Sequence, residues 1–271
     1  MPELPEVETT CRGIRPHIEG QTIRNIDVHN GSLRWPVSDE IYQLRDTTVL
    51  AVKRRAKYLA LELPSNNHIL LHLGMSGSLR IASSEEPLRK HDHLIFHLSN
   101  GLEMRFHDPR RFGCALWVDH DLESHPLLQN LGPEPLSDSF TLPHFLQTCA
   151  KRDRAIKLHI MDNATVVGVG NIYACESLFL AHINPKRSAN KISKAKLSKL
   201  YETIRMVLAR SIEQGGTTLR DFLHSDGQPG YFKQQLEVYD REGEPCHTCQ
   251  RPIKRITLGQ RSTFYCTHCQ R

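Results

Sequence analysis

Two groups of residues are equipped for chemistry. Near the C-terminal end, Cys246-x2-Cys249 and Cys266-x2-Cys269 are separated by sixteen residues. Each C-x2-C turn aims two thiolates at one point, and four thiolates complete the tetrahedral shell of a zinc ion. No position is left open for water, so such a zinc is structural and not catalytic. Chance pairs and redox dithiols are the other readings, and the spacing favours zinc. At the opposite end, Met1 is followed by Pro2 and Glu3. Removal of Met1, which a small second residue favours, would leave Pro2 as a secondary amine. An α-amino group has an unperturbed pKa near ~8. The positive end of a following helix disfavours its ammonium form. A neutral amine beside the Glu3 carboxylate is a nucleophile with an acid/base partner. Taken alone, however, a Pro-Glu start reads first as an ordinary helix N-terminus.

The elements that must hold these groups follow from periodicity. Leu4, Val7, Cys11, Ile14 and Ile18 recur at spacings of three and four, which predicts a helix over the first twenty residues, stopped at Gly20. From Gln21 to about Val118 the pattern changes to short strands, clearest at 49–63, 68–73, 94–98, 102–107 and 115–118. Strands at this spacing predict a sandwich or barrel. The connector Leu131-Gly132-Pro133-Glu134-Pro135-Leu136 marks a domain boundary. Helical periodicity follows at 146–161, 172–181 and 194–212, with Gly168-Val169-Gly170 parting the first two. The stretch 225–230 is too rich in turn formers for a core element and reads as a mobile loop. Between the cysteine pairs, 255–265 reads as a hairpin turning near Gly259. Arg251, Lys254, Arg255, Arg261 and Arg271 make this unit basic. That suits a phosphate-binding ribbon, or simply a solvated face.

Composition sets the bounds. The chain has 271 residues, 39% hydrophobic and 24% charged, with net charge +5. This excludes global disorder and collagen-like repeats. No apolar run is long enough to cross a bilayer, and the first residues carry no secretory signal. The mild positive charge permits a polyanionic partner without demanding one. Cys11, Cys114, Cys149 and Cys175 are scattered singly and read as reduced thiols of a cytosolic protein.

Several short motifs occur in one order. They are Met1–Thr9 (MPELPEVET), Lys57-Tyr58-Leu59 in a strand, His72-Leu73-Gly74-Met75-Ser76-Gly77, Asp108-Pro109-Arg110-Arg111-Phe112-Gly113, Gly168–Ala174 (GVGNIYA) and the four-cysteine finger. Together they resemble the bacterial formamidopyrimidine-DNA glycosylase family over essentially the whole chain. The resemblance implies an α+β multidomain protein: an N-terminal helix and β-sandwich (1–132), a helix-two-turn-helix domain with a lesion-covering loop (133–236), and a zinc ribbon (237–271). DNA would lie in the cleft between the halves. The implied activity is excision of oxidised purines followed by strand cleavage. The implied partner is duplex DNA with the lesion preferably opposite C, bound by a cytoplasmic monomer away from any membrane. One structural Zn²⁺ is expected, with no catalytic metal or organic cofactor.

Roles carry over by motif. Pro2 would attack C1′ of the flipped nucleotide and Glu3 would assist opening of the sugar ring. Lys57 would transfer protons in β-elimination, and Arg261 would bind phosphate and serve δ-elimination. Glu6 reads either as part of the carboxylate field or as a surface helix residue. A base inside a duplex cannot be reached at C1′, so the nucleotide must be extruded. Met75, Arg110 and Phe112 match the family's void-filling residues, with Arg110 suited to an orphaned cytosine. Read without the family, Met75 and Phe112 are core packing. Lys157 matches a phosphate-binding lysine, Asn171 would open an anion-binding helix, and His91 and Arg152 match or lie near further DNA contacts. The loop 217–231 would cover the flipped base. Two rivals are an endonuclease VIII-like glycosylase acting on oxidised pyrimidines and a non-catalytic zinc-ribbon DNA-binding protein. Leu4 and the separate wedge positions 75 and 112 disfavour the first. Intact Pro2, Glu3 and Lys57 disfavour the second.

Overall fold

The computed structural model describes residues 2–215 and 236–271. They form two compact units, 2–130 and 131–214 with 236–271. Expectations placed on 217–231 lie outside the described residues.

The first unit opens with α1 (Leu4–Ile18). Glu3 is its N-cap, Glu6 closes a capping box, and Pro5 sits where no amide partner is lost. The helix ends before Gly20, whose φ of +76° suits glycine. Its buried stripe of Val7, Cys11, Ile14 and Ile18 enters the core. Two antiparallel sheets supply the rest. One contains β1 (Thr22–Val28), β2 (Thr47–Thr48), β6 (Ser78–Ser83), β7 (Asp92–Leu98) and β8 (Leu102–His107), in the order β2-β1-β7-β8-β6. The other contains β3 (Ala51–Arg55), β4 (Tyr58–Leu63), β5 (Asn67–His72) and β9 (Cys114–Val118), in that order. A short helix, α2 (Asp39–Gln43), precedes β2. Leu59, Leu61, Ile69 and Leu71 from one sheet share a core with Ile23, Leu79, Phe96 and Phe106 from the other. This is the expected sandwich.

One predicted strand is in fact two. Residues 49–63 divide at Ala56-Lys57, a two-residue turn between the paired residues Arg55 and Tyr58. Ala56 takes φ +52°. A left-handed residue without a glycine is a weak sequence signal, so the turn was hidden in an apolar run. Lys57 therefore stands on a hairpin tip and not within a strand.

A buried pair braces the first sheet. Arg80 grips Asp92 through two bonds of 2.7 and 2.5 Å, and His107 Nδ1 lies 3.0 Å from the same carboxylate. Burial pushes Asp92 upward, but Arg80, His107 and the Arg89 amide together hold it well below the usual carboxylate range. A depressed folded pKa stabilises the fold above the unfolded value near ~4 and loses that stabilisation as pH falls. Asp92→Asn should therefore cost about 3 kcal/mol or more at neutral pH, since Arg80 stays buried without its charge partner. Urea melts at pH 7 and pH 3 should show this gap narrowing in acid.

The second unit contains α3 (Leu142–Ala150), α4 (Ile156–Ile160), α5 (Asn171–Leu180), α6 (Lys194–Glu213) and the hairpin β10 (Lys254–Leu258)–β11 (Arg261–Tyr265). The helix predicted over 146–161 is broken at 151–155. Tertiary pairing wins there: Ala155 bridges Ser188, Ile156 N–H donates to Arg187 O, and Ala189 N–H donates to Arg154 O. The ribbon shares a core with α5, built from Cys175, Phe179, Val238, Ile253 and Phe264. Glu176 on α5 is buried and accepts the amides of Glu237, Val238 and Tyr239 at 2.8, 3.0 and 2.9 Å. Burial raises its pKa and these amides oppose the rise. Glu176→Ala should cost about 2 kcal/mol or more, read as a lower urea midpoint, because the buried Val238 amide and the part-buried amides of Glu237 and Tyr239 lose their shared acceptor.

Candidate functional site

In the first unit, the start of α1 and the β3–β4 hairpin tip come to one end of the sandwich. The helix lies along β3. Arg15 and Glu19 bind the backbone of Val52, and nearer the helix start Glu8 binds Arg54 at 2.7 Å. Arg54 also donates to Ala56 O at 3.0 Å, at the turn itself. Pro2 and Glu3 thus face the end of β3 that bears Lys57. Pro2 is buried, and Glu3 and Glu6 are 2% and 0% exposed. Glu6 accepts the Glu3 N–H at 2.8 Å, so it holds the N-cap residue and is not a surface helix residue. Spacing along the chain does not reveal the positioning roles of Glu6 and of the Glu8–Arg54 pair. The first had only the E-x-x-E spacing, and the second joins positions 46 apart.

Lys57 lies beside His72, whose pKa is pushed down to about 4 by burial and by the charges of Lys57 and Arg34. The neutral His72 accepts the Gly74 N–H at Nδ1, 2.9 Å, and packs its ring against Tyr58. It therefore fixes the start of the turn that carries Met75.

The motifs that carry Met75 and Arg110–Phe112 meet through strand register. β5 leads to β6 and β8 leads to β9, while β5 pairs with β9 and β6 with β8. The connections 73–77 and 108–113 must cross between the sheets side by side. They touch backbone to backbone. A Cβ on Gly74 would come within 2.5 Å of Gly113 N, and one on Gly113 within 2.5 Å of His72 O. Met75 is half-buried, while Phe112 is 43% exposed with the Arg110 guanidinium 5.0 Å from its ring centre. These are not core positions. The Arg110 guanidinium and the Phe112 ring are attracted as a cation and an aromatic face. His91 adjoins the same loop, its carbonyl accepting the Asp108 N–H at 3.0 Å.

In the second unit, Lys157, Asn171 and the ribbon hairpin form one cluster. Lys157 is fully buried on α4. Its ammonium donates to Asn171 Oδ1 at 2.5 Å, Thr263 Oγ1 at 2.7 Å and Ser262 O at 3.2 Å. Asn171 Nδ2 donates to Ser262 O at 2.9 Å. Gly170 is the N-cap of α5, so Asn171 stands at the helix start, as its motif suggests. Gly259 and Gln260 make the hairpin turn with φ of +54° and +60°, and Leu158 packs under it. Arg261 is exposed next to Ser262. Arg152 stands apart from this cluster, exposed in the 151–155 break. There it lines a cavity of about 380 Å³ with Thr148, Lys151, His159 and Thr165.

The four ribbon cysteines converge. Their sulfurs all lie within 4.8 Å of one another, with Cys246–Cys269 at 3.9 Å and Cys249–Cys266 at 3.4 Å. Thiolates at Zn–S ≈ 2.3 Å in a tetrahedron stand about 3.8 Å apart. The donor set fits one structural zinc. The other four cysteines are buried and unbridged, and burial pushes the thiols of Cys11, Cys114 and Cys149 up to about 11, 12 and 12.

Sequence models of the formamidopyrimidine-DNA glycosylase N-terminal domain, its H2TH domain and the zinc finger found in FPG and IleRS match residues 1–115, 131–223 and 243–271. A formamidopyrimidine-DNA glycosylase of Salmonella arizonae is 60% identical over 271 residues, the whole of both chains. The solved MutM (Fpg) of Thermus thermophilus is 40% identical, with TM-score 0.90 over 99% of this chain and 98% of that one. The Lactococcus lactis Fpg, solved with DNA containing an abasic site, is 32% identical with TM-score 0.91 over 99% of each chain. With three domain models of one family matched in order along the chain and a relative 60% identical over its whole length, the chain belongs to the formamidopyrimidine-DNA glycosylase family.

Proposed function

We propose that this chain excises oxidised purines, chiefly 8-oxoguanine and formamidopyrimidines, from duplex DNA, with C preferred opposite the lesion. It is a bifunctional DNA glycosylase and AP lyase of its family. The observation that carries the reading is that the helix start bearing Pro2 and Glu3 is tied through Glu8 and Arg54 to the hairpin bearing Lys57, with the loops that bear Met75, Arg110 and Phe112 packed backbone to backbone. With Met1 removed, the Pro2 nitrogen attacks C1′ and the N-glycosidic bond breaks, releasing the base. Glu3 provides the proton that opens the sugar ring. The resulting iminium acidifies C2′, and Lys57 takes part in the proton transfer that expels the 3′ phosphate. δ-Elimination with Arg261 on the 5′ phosphate completes the cut.

Extrusion of the nucleotide leaves a gap in the stack. Met75 and Phe112 are apolar wedges for that gap, and Arg110 offers N–H donors to the acceptor edge of the orphaned cytosine. His91, Asn171, Arg261 and Arg152 hold phosphates. The Lys157 ammonium is engaged within the protein, so its route to a phosphate runs through Asn171. Residues 1–132 carry Pro2, Glu3 and Lys57 with the wedge residues, 133–236 add phosphate contacts, and 237–271 bring Arg261 to the δ-elimination. We read the protein as a cytoplasmic monomer, in keeping with one lesion per event. Among the described residues no helix is long and apolar enough to cross a membrane.

Excision of 8-oxoguanine opposite C should outpace excision of thymine glycol by about tenfold or more, because a site that hydrogen-bonds one base leaves its polar groups unpaired against another. Faster release of thymine glycol would transfer the chain to the oxidised-pyrimidine branch.

A further inference from the structure

Asp108 has no part in the chemistry above, yet it is fully buried at the root of the loop that carries Arg110 and Phe112. Its Oδ2 accepts the Gly113 N–H at 2.8 Å, five residues on, which closes the base of the loop. Its carbonyl accepts the Arg111 N–H at 3.2 Å and the His93 Nε2 proton at 2.8 Å. Its own amide donates to His91 O at 3.0 Å. One residue thereby ties the loop to itself, to β7 and to the carbonyl of His91. Burial pushes the carboxyl upward, and the amides of Gly113, Arg110 and Arg111, with His93, pull it back.

The loop needs such a tie. Arg111 holds φ +56°, a conformation that a non-glycine residue leaves unless its surroundings enforce it. Gly113 is wedged so tightly that a Cβ would meet His72 O at 2.5 Å, Phe106 Cζ at 2.7 Å and Asp108 Oδ2 at 3.0 Å. The carboxylate therefore sits at the junction where the loop bearing Arg110 and Phe112 rests on the turn bearing Met75.

We propose that Asp108 is a positioning residue for reading the base opposite the lesion: its buried carboxylate sets the loop geometry that presents Arg110 and Phe112 beside Met75. This rests on the reading above that these three side chains enter the duplex. Discrimination then depends on a side chain that is itself out of reach of DNA.

The test compares native enzyme, Asp108→Ala, Asp108→Asn and the double variant Arg110→Ala/Phe112→Ala. Each is assayed for 8-oxoguanine excision opposite C and opposite A, and for borohydride trapping on an abasic site in single-stranded DNA, which has no opposite base to read. Asp108→Ala should lower the C-over-A preference by about tenfold, toward that of the double variant. Single-strand trapping should stay within about twofold, as expected for a site remote from the reacting atoms. Asp108→Asn keeps an acceptor for Gly113 N–H and should restore most of the preference. A native C-over-A ratio in Asp108→Ala, with the double variant impaired, would overturn the positioning role alone. Loss of single-strand trapping in Asp108→Ala would also overturn it, by making Asp108 a general folding residue. A native ratio in the double variant would instead retire the wedge reading, and this inference with it.

Discussion

Adding one residue ahead of Pro2 should abolish the covalent adduct that borohydride traps between this protein and a duplex carrying 8-oxoguanine opposite C. The extension turns the secondary amine into an amide nitrogen, whose lone pair is delocalised and cannot attack C1′. Excision should fall by at least about 10³-fold, the scale on which removal of a covalent nucleophile registers. DNA affinity should change little, because the residues proposed to hold phosphates lie elsewhere on the chain. The setting of Pro2 makes the expectation specific. It is buried at the head of α1, next to a Glu3 that the Glu6 carboxylate holds by its amide. The helix start is tied to the Lys57 hairpin through Glu8 and Arg54. An amine elsewhere would not share that support. Trapping by native and extended forms alike would move the nucleophile to a lysine, with Lys57 first. No adduct from either, despite tight binding, would favour a DNA-binding module without lyase chemistry.

Replacing Cys246 or Cys269 should release the zinc and unfold the ribbon. Structural zinc sites contribute about 10–16 kcal/mol of binding free energy that is also folding free energy. The ribbon's own apolar core is small, and two of its fully buried members, Cys246 and Cys266, are themselves ligands. The damage should spread beyond the finger. Ser262 and Thr263 of β11 are partners of the buried Lys157 ammonium, and Ser262 O also holds the Asn171 amide. Melting the hairpin loosens both residues and removes Arg261 from its place. DNA affinity should drop by about 10²-fold and its salt dependence should become shallower, as several phosphate contacts are lost together. Metal analysis and anisotropy titrations over a range of salt would measure both effects. Zinc retained at full stoichiometry in Cys246→Ala would contradict the ligand set, and zinc loss with unchanged affinity would separate the ribbon from DNA binding.

Local features were written in the sequence because they depend on local spacing. The α1 stripe from Leu4 to Ile18, the C-x2-C pairs, the Gly259 turn and the Gly170 cap each rest on residues within a few positions of one another. Their chemistry needs no distant partner to be recognised. The residue types at Pro2, Glu3 and Lys57 were legible as well, and the order of the motifs pointed to the family. What tertiary structure alone decided is where long-range pairing overrides local pattern. The apolar run 49–63 folds back at Ala56-Lys57 because β3 and β4 gain a full ladder by doing so. The helical run 146–161 breaks because residues 154–156 pair with 187–189. Glu6 could be a surface residue or a buried one until the sheets were packed against α1. Read without the family, Met75 and Phe112 are core packing. Only the crossing of two connections between the sheets, close enough to exclude a Cβ at Gly74 and Gly113, assembles them with Arg110 into one surface. Burial and proximity are properties of the folded chain, and the spacing of residues along it cannot state them.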